Sequence, residues 1–108
     1  MSNTSFPPFL KWGDYHSKDE KSPDEIEVEP LDLEFFETEY SMNINANVDG
    51  IEKAIPIHGF ESKNMQLLQK WNEGIKNKKI KVGKKFKLLT WLGTSKNNFP
   101  IRRFELDF

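Results

Sequence analysis

The sequence predicts an all-β domain with one helix, in the order strand, strand, strand, helix, strand, strand. Three observations predict it. Residues 41–48, SMNINANV, alternate apolar and polar side chains and run into Asp49-Gly50, a dipeptide that favours the positive φ angles of a tight hairpin. Residues 62–75, SKNMQLLQKWNEGI, repeat apolar side chains at helical spacing, a pattern found nowhere else in the chain. Beyond them, residues 84–92 and 99–108 return to a period of two, with a Gly/Ser/Asn-rich connection between them.

Taken in order, residues 1–12 form a short arm carrying Phe6, Phe9, Leu10 and Trp12, with Pro7 and Pro8 favouring extended backbone. So many aromatics are expected to pack along the domain rather than float free. Residues 13–25, GDYHSKDEKSPDE, are nearly devoid of apolar side chains and read as a polar loop. Residues 26–40 read as a long first strand. Ile26 and Val28 alternate with Glu27 and Glu29, and after Pro30 the phase changes, with Leu31, Leu33 and Phe35 in the apolar positions. A proline with a phase switch predicts a bulge or bend. The second strand is 41–48 and the third, 51–58, returns Ile51, Ile55 and Ile57 to one face. In the helix Ser62 is the expected N-cap, Met65, Leu68, Trp71 or Asn72, and Ile75 form the stripe, and Gly74 marks the fraying end. In the fourth strand Phe86, Leu88, Thr90 and Leu92 share a face, opposite Lys85, Lys87, Leu89 and Trp91. In the fifth, Arg102, Phe104, Leu106 and Phe108 stand opposite Ile101, Arg103, Glu105 and Asp107.

Bulk properties narrow the function classes. A chain of 108 residues is one domain's worth. No cysteine is present, which excludes disulfides, zinc-thiolate sites and thiol chemistry. No apolar run approaches the ~18–20 residues of a membrane span, so no membrane partner is expected. The start, MSNTSFPPFLKWG, lacks the basic opening and long apolar middle of a signal peptide, and the chain is placed in the cytoplasm. The net charge of −1 conceals a split: residues 1–61 carry −10 and residues 62–108 carry +9. Such a split points to an anionic partner for the second half, or to the two halves pairing across one sheet. No elbow, metal-ligand spacing or phosphate-binding glycine loop occurs, so no catalytic residue, metal or cofactor is assigned and the chain is not expected to be an enzyme.

Five strands with a helix after the third describe a small five-stranded OB-like Greek-key barrel over residues 26–108, preceded by the arm and polar loop of residues 1–25. In element order and size the chain resembles OB-fold single-stranded nucleic-acid-binding proteins. An SH3-like barrel with an inserted helix would give the same string. The resemblance implies a ligand face on the second and third strands, helped by the loop joining the fourth to the fifth.

Single strands are held by cations that track phosphates and aromatic planes on which bases stack. The hairpin of the last two strands offers both. The candidate nucleic-acid-binding residues are therefore Lys84, Lys85, Lys87, Trp91, Lys96, Asn97, Phe99, Arg102 and Arg103, with Asn43 and Asn45 on the second strand. The expected partner is single-stranded DNA or RNA. The alternative is a protein-interaction or regulatory module, with a protein partner and different contacts for its acidic and basic halves. Cations sharing one face with an exposed Trp91 favour the first; cations paired with Glu27, Glu29, Glu34 and Glu37 favour the second.

Overall fold

A computed structural model describes residues 8–39, 41–59, 65–94, 96–98 and 100–108. The elements are a short 3-10 turn (Trp12–Asp14), β1 (Asp24–Pro30), β2 (Phe36–Glu37), β3 (Ser41–Val48), β4 (Ile51–Gly59), α1 (Met65–Lys76), β5 (Phe86–Thr94) and β6 (Pro100–Asp107). The chain is mostly β with one helix, as the sequence predicts. Ser62 and Phe99 lie outside the described residues.

The strands form one antiparallel sheet in which β1 is central. It pairs with β3 on one side (Val28 opposite Val48) and with β5 on the other (Ile26 opposite Leu88). β4 pairs with the far side of β3, and β6 with the far side of β5. The β3–β4 turn is built by Asp49 (φ 51°) and Gly50 (φ 86°), both left-handed, as a two-residue hairpin requires. Asp49 also ties the turn to β1. Its Oδ1 accepts from the Glu27 N–H at 3.0 Å, and its own N–H donates to the Glu27 carbonyl at 2.9 Å. A Cβ on Gly50 would meet open space, so only the backbone opposes substitution there. Gly50→Ala is expected to cost about 1–2 kcal/mol by urea denaturation, with the m-value unchanged.

The long first strand is present but broken. β1 ends at Pro30, and β2 resumes on the same side of β3, Phe36 facing Asn43. Between them the chain leaves the sheet: Pro30 has no N–H to donate, and the Asp32 carboxylate accepts the Glu34 N–H at 3.0 Å in a local turn. Leu31 and Leu33, which the alternation places inward, are therefore exposed.

The helix differs at its end. Gly74 lies inside it and is buried, and a Cβ there would come within 2.6 Å of the Ile80 Cδ1. Glycine is needed for that close approach. The turn that stops the helix comes later, at Lys78 (φ 60°), where the Lys79 and Ile80 N–H groups both donate to the Gly74 carbonyl. Leu67 and Trp71 are fully buried, while Leu68 and Ile75 pack at the margin.

The expected Greek-key barrel is not what forms: the sheet is open, and among the described residues β4 and β6 do not pair. The reason is that other parts of the chain occupy the space between them. Leu10 donates to the Ala54 carbonyl at 2.8 Å and Ala54 donates to the Pro8 carbonyl at 3.0 Å, so the arm runs as a parallel bridge along β4. Trp12 then donates from Nε1 to the Pro56 carbonyl at 2.9 Å and meets Phe104 of β6 edge-on at 4.9 Å. Helix α1 also touches both β4 and β6. The core joins all of these, with Leu10, Ile26, Ile44, Ile55, Trp71, Phe86, Leu88 and Phe104 in one cluster. Among the described residues no helix is long and apolar enough to cross a membrane.

Candidate functional site

The sheet's outer face over β1, β5 and β6 carries most of the charged hairpin. Strand parity puts Phe86, Leu88 and Thr90 inward and Lys87, Leu89, Trp91 and Gly93 outward. The register then sets Lys87 between Glu27 of β1 and Asp107 of β6. The Lys87 Nζ lies 3.3 Å from Glu25 and the Lys85 Nζ 3.7 Å from Glu27. All four side chains are more than half exposed, so water and salt screen both pairs and each contributes at most ~1 kcal/mol. Lys84 sits exposed in the loop before β5. Acidic β1 thus takes up part of the basic hairpin's charge, on the side away from its tip.

Nearer the tip the arrangement changes. Trp91 is half-buried and directly opposite Arg103. Gly93, two residues on, has no side chain to obstruct Arg103: an added Cβ would sit 3.2 Å from the Arg103 Cγ and 3.5 Å from its Nε. The arginine stem therefore lies over Gly93. Beside it opens a groove of about 540 Å³, lined among others by Glu20, Gln66, Lys70, Trp91, Arg103 and Glu105. It runs from the loop before β1, across β5 and β6, to α1. A second hollow of about 270 Å³ shares Lys70 and Glu105 and reaches Lys79 and Phe108. Lys96 and Asn97 are exposed in the β5–β6 turn, where Asn98 takes a positive φ of 62°.

Several expected site residues lie elsewhere. Arg102 is only 8% exposed; its Nη1 donates to the Thr90 Oγ1 at 3.1 Å and its Nη2 to the Tyr15 carbonyl at 2.9 Å. Burial lowers its pKa from the usual guanidinium value, and nearby Asp24 opposes that shift. Arg102 shares parity with Phe104 and Leu106, which places it inside. Asn43 is also buried. The β3–β4 register shifts between Met42 and Asn43, and the Asn43 amide is used locally. Its Oδ1 accepts from the Ser41 hydroxyl at 2.7 Å, and its Nδ2 donates to the Ser41 and Phe36 carbonyls, which fastens β2 to β3. Asn45 is half-buried, with its Oδ1 covered and without a hydrogen-bond partner among the described residues, and Asn47 donates to Glu29 at 3.1 Å. Of the asparagine row, Asn43 is thus committed inside the fold, while Asn45 and Asn47 are half-buried. Burial, reinforced by Asp49, Asp14 and Asp24, raises the Tyr15 pKa, so this phenol stays neutral.

Sequence reasoning missed the groove's second wall. Gln66 and Lys70 stand four residues apart on α1, which puts them on one side of the helix next to the Leu67–Trp71 stripe. That spacing was visible; what it faces was not. The groove brings together an indole, two cations and two carboxylates, a set suited to stacking and ion pairing. Among the described residues no group of three or more His, Cys, Asp or Glu side chains converges to hold a metal ion. No protein-family model, curated protein or solved structure matches the chain.

Proposed function

We propose that this chain is a non-catalytic single-stranded DNA- or RNA-binding module whose ligand lies across the outer ends of β5 and β6. The observation that carries the reading is the half-buried Trp91 opposite Arg103, in a groove that Lys70 also lines. Trp91 is the stacking platform. Arg103, Lys70 and, at the turn, Lys96 meet phosphates, and Asn97 offers neutral hydrogen bonds. Lys84, Lys85 and Lys87 add a diffuse attraction, reduced by their acidic neighbours. Arg102 and Asn43 leave the ligand set, since their polar atoms are committed inside the fold. Of the OB-type resemblance, the reading keeps the element order and use of the loop between the last two strands.

Labelled oligonucleotides of ~20 nucleotides, titrated at two salt concentrations, test the reading against a site size of ~4–16 nucleotides. Engagement of three cations predicts a log–log salt slope of about −2. Trp91→Ala is expected to weaken binding by roughly 5- to 150-fold, the equivalent of ~1–3 kcal/mol of stacking on one base. Absence of binding at low salt would sink the proposal.

One observation favours a second reading, the protein-interaction module. The Lys85–Glu27 and Lys87–Glu25 pairs commit cations internally, as expected if the charge split serves the fold itself. The same titration separates the two readings.

A further inference from the structure

We infer that the groove selects guanine, with the Glu105 carboxylate reading the base that stacks on Trp91. The inference rests on the nucleic-acid reading above and goes further, because a site made only of cations and an indole would accept any base.

Glu105 is the feature that such a site does not need. It lies on β6 with its side chain outward, between Arg103 and Asp107 on the same face. Its cross-strand neighbour is Leu89, which cannot neutralise it. Its side chain lines both hollows and makes no hydrogen bond or ion pair among the described residues, where the ion pairs are Lys85–Glu27 and Lys87–Glu25. A carboxylate in the path of a polyanion costs binding energy unless it gains a specific partner. The sheet geometry supplies one. Trp91 faces Arg103, so Glu105 is its diagonal neighbour on the same face, roughly 7–8 Å away. A base stacked on the indole presents its edge at about that distance.

A carboxylate has acceptors only, two oxygens side by side. Guanine presents two adjacent donors, N1–H and the 2-amino group, on its Watson–Crick edge. Cytosine and adenine each offer one amino group next to a ring-nitrogen acceptor. Thymine and uracil offer one N–H between two carbonyls. Guanine alone matches both oxygens. The other groove carboxylate, Glu20, lies in the loop before β1, whereas Glu105 is held by a strand, and a strand positions a reading group more tightly than a loop.

Fluorescence anisotropy with labelled oligothymidylates of about eight nucleotides, each carrying one central test base, decides the matter. A single guanine is expected to tighten binding roughly tenfold over the all-thymidine strand, while adenine and cytosine give little. Inosine, which lacks the 2-amino group, should lose most of that gain. Glu105→Gln replaces one acceptor by a donor; within that variant the guanine strand should bind no more tightly than the all-thymidine strand. Glu105 is exposed, so the variant is expected to fold normally. Equal affinity for all bases, or a guanine preference that survives Glu105→Gln, overturns the assignment. So does a preference lost in Glu20→Gln and kept in Glu105→Gln. Failure to bind any strand overturns the nucleic-acid reading itself, and the selectivity with it.

Discussion

Replacing Trp71 by alanine is expected to lower stability by about 3–5 kcal/mol, the range for deleting a large buried aromatic. Trp71 is fully buried on α1 and meets Phe86 of β5 edge-on, with ring centroids 5.6 Å apart. It therefore couples the helix to the sheet, and its loss opens a cavity where two elements meet. A domain of this size has only ~5–15 kcal/mol in hand, so the variant should be largely destabilised and partly unfolded at modest temperature. Trp71→Phe separates packing from polarity. The Trp71 Nε1 is buried without a hydrogen-bond partner among the described residues, so the native indole carries a desolvation cost. Phenylalanine removes that cost and keeps a ring against Phe86, and its net effect should stay below about 1.5 kcal/mol. Urea denaturation of the three proteins gives the comparison directly. A Trp71→Ala loss below ~1 kcal/mol would show that the helix is not anchored through this residue.

Periodicity makes some of these elements legible and leaves others hidden. The β3–β4 hairpin was readable because one face of β3 is buried and the pleat has a period of two, so Ile44, Ala46 and Val48 had to fall together. The helix was readable from Trp71 and its neighbours for the same kind of reason. Residues 31–35 misled because alternation looks the same in a strand and in a turn; Pro30 and Asp32 decide against the strand through N–H groups that a hydropathy pattern does not record. Gly74 misled in the opposite way. A glycine near a helix end reads as a stop, but this one is kept small by Ile80, whose position depends on the turn beyond the helix. That the aromatic arm packs along the domain was readable from its composition, but its place between β4 and β6 was not. It depends on contacts such as Trp12 to Pro56 and Arg102 to Tyr15, which join residues 44 and 87 positions apart. Periodicity over a few residues says nothing about such pairs.

At the site, parity was the better guide and charge the worse one. Alternation grouped Arg102 with Phe104 and set Trp91 opposite Phe86 and Leu88 without saying which face is buried; the structure turns Phe86, Leu88, Arg102 and Phe104 inward. Residue type alone assigned both arginines to a ligand. Gln66 and Lys70 joined the groove through the packing of α1 against β6, which no sequence pattern announced.

The adjacent arginines therefore provide a test in which one predicts stability and the other binding. Arg102→Ala is expected to cost about 3 kcal/mol, because it removes a buried, charge-assisted donor and leaves the Tyr15 carbonyl without that partner. Arg102→Lys should recover only part of the loss. One ammonium cannot reproduce the planar fork that serves Thr90 and Tyr15 together. The damage should also be local before it is global. Leu92 N–H donates to the Ser17 carbonyl at 2.8 Å, two residues past Tyr15, so its hydrogen exchange should accelerate in Arg102→Ala more than that of Val28 or Ile44. Below its melting temperature this variant should bind oligonucleotides as the parent does, because the Arg102 guanidinium faces Thr90 and, in the loop after the arm, Tyr15, not the groove. Arg103→Ala should do the reverse: stability within about 0.5 kcal/mol of the parent, with weaker binding and a salt slope reduced by roughly 0.7. If both substitutions weakened binding equally at matched folded fraction, the groove would be misplaced. If Arg102→Ala left stability unchanged, the arm would owe its position to Trp12 and Leu10 rather than to the buried guanidinium.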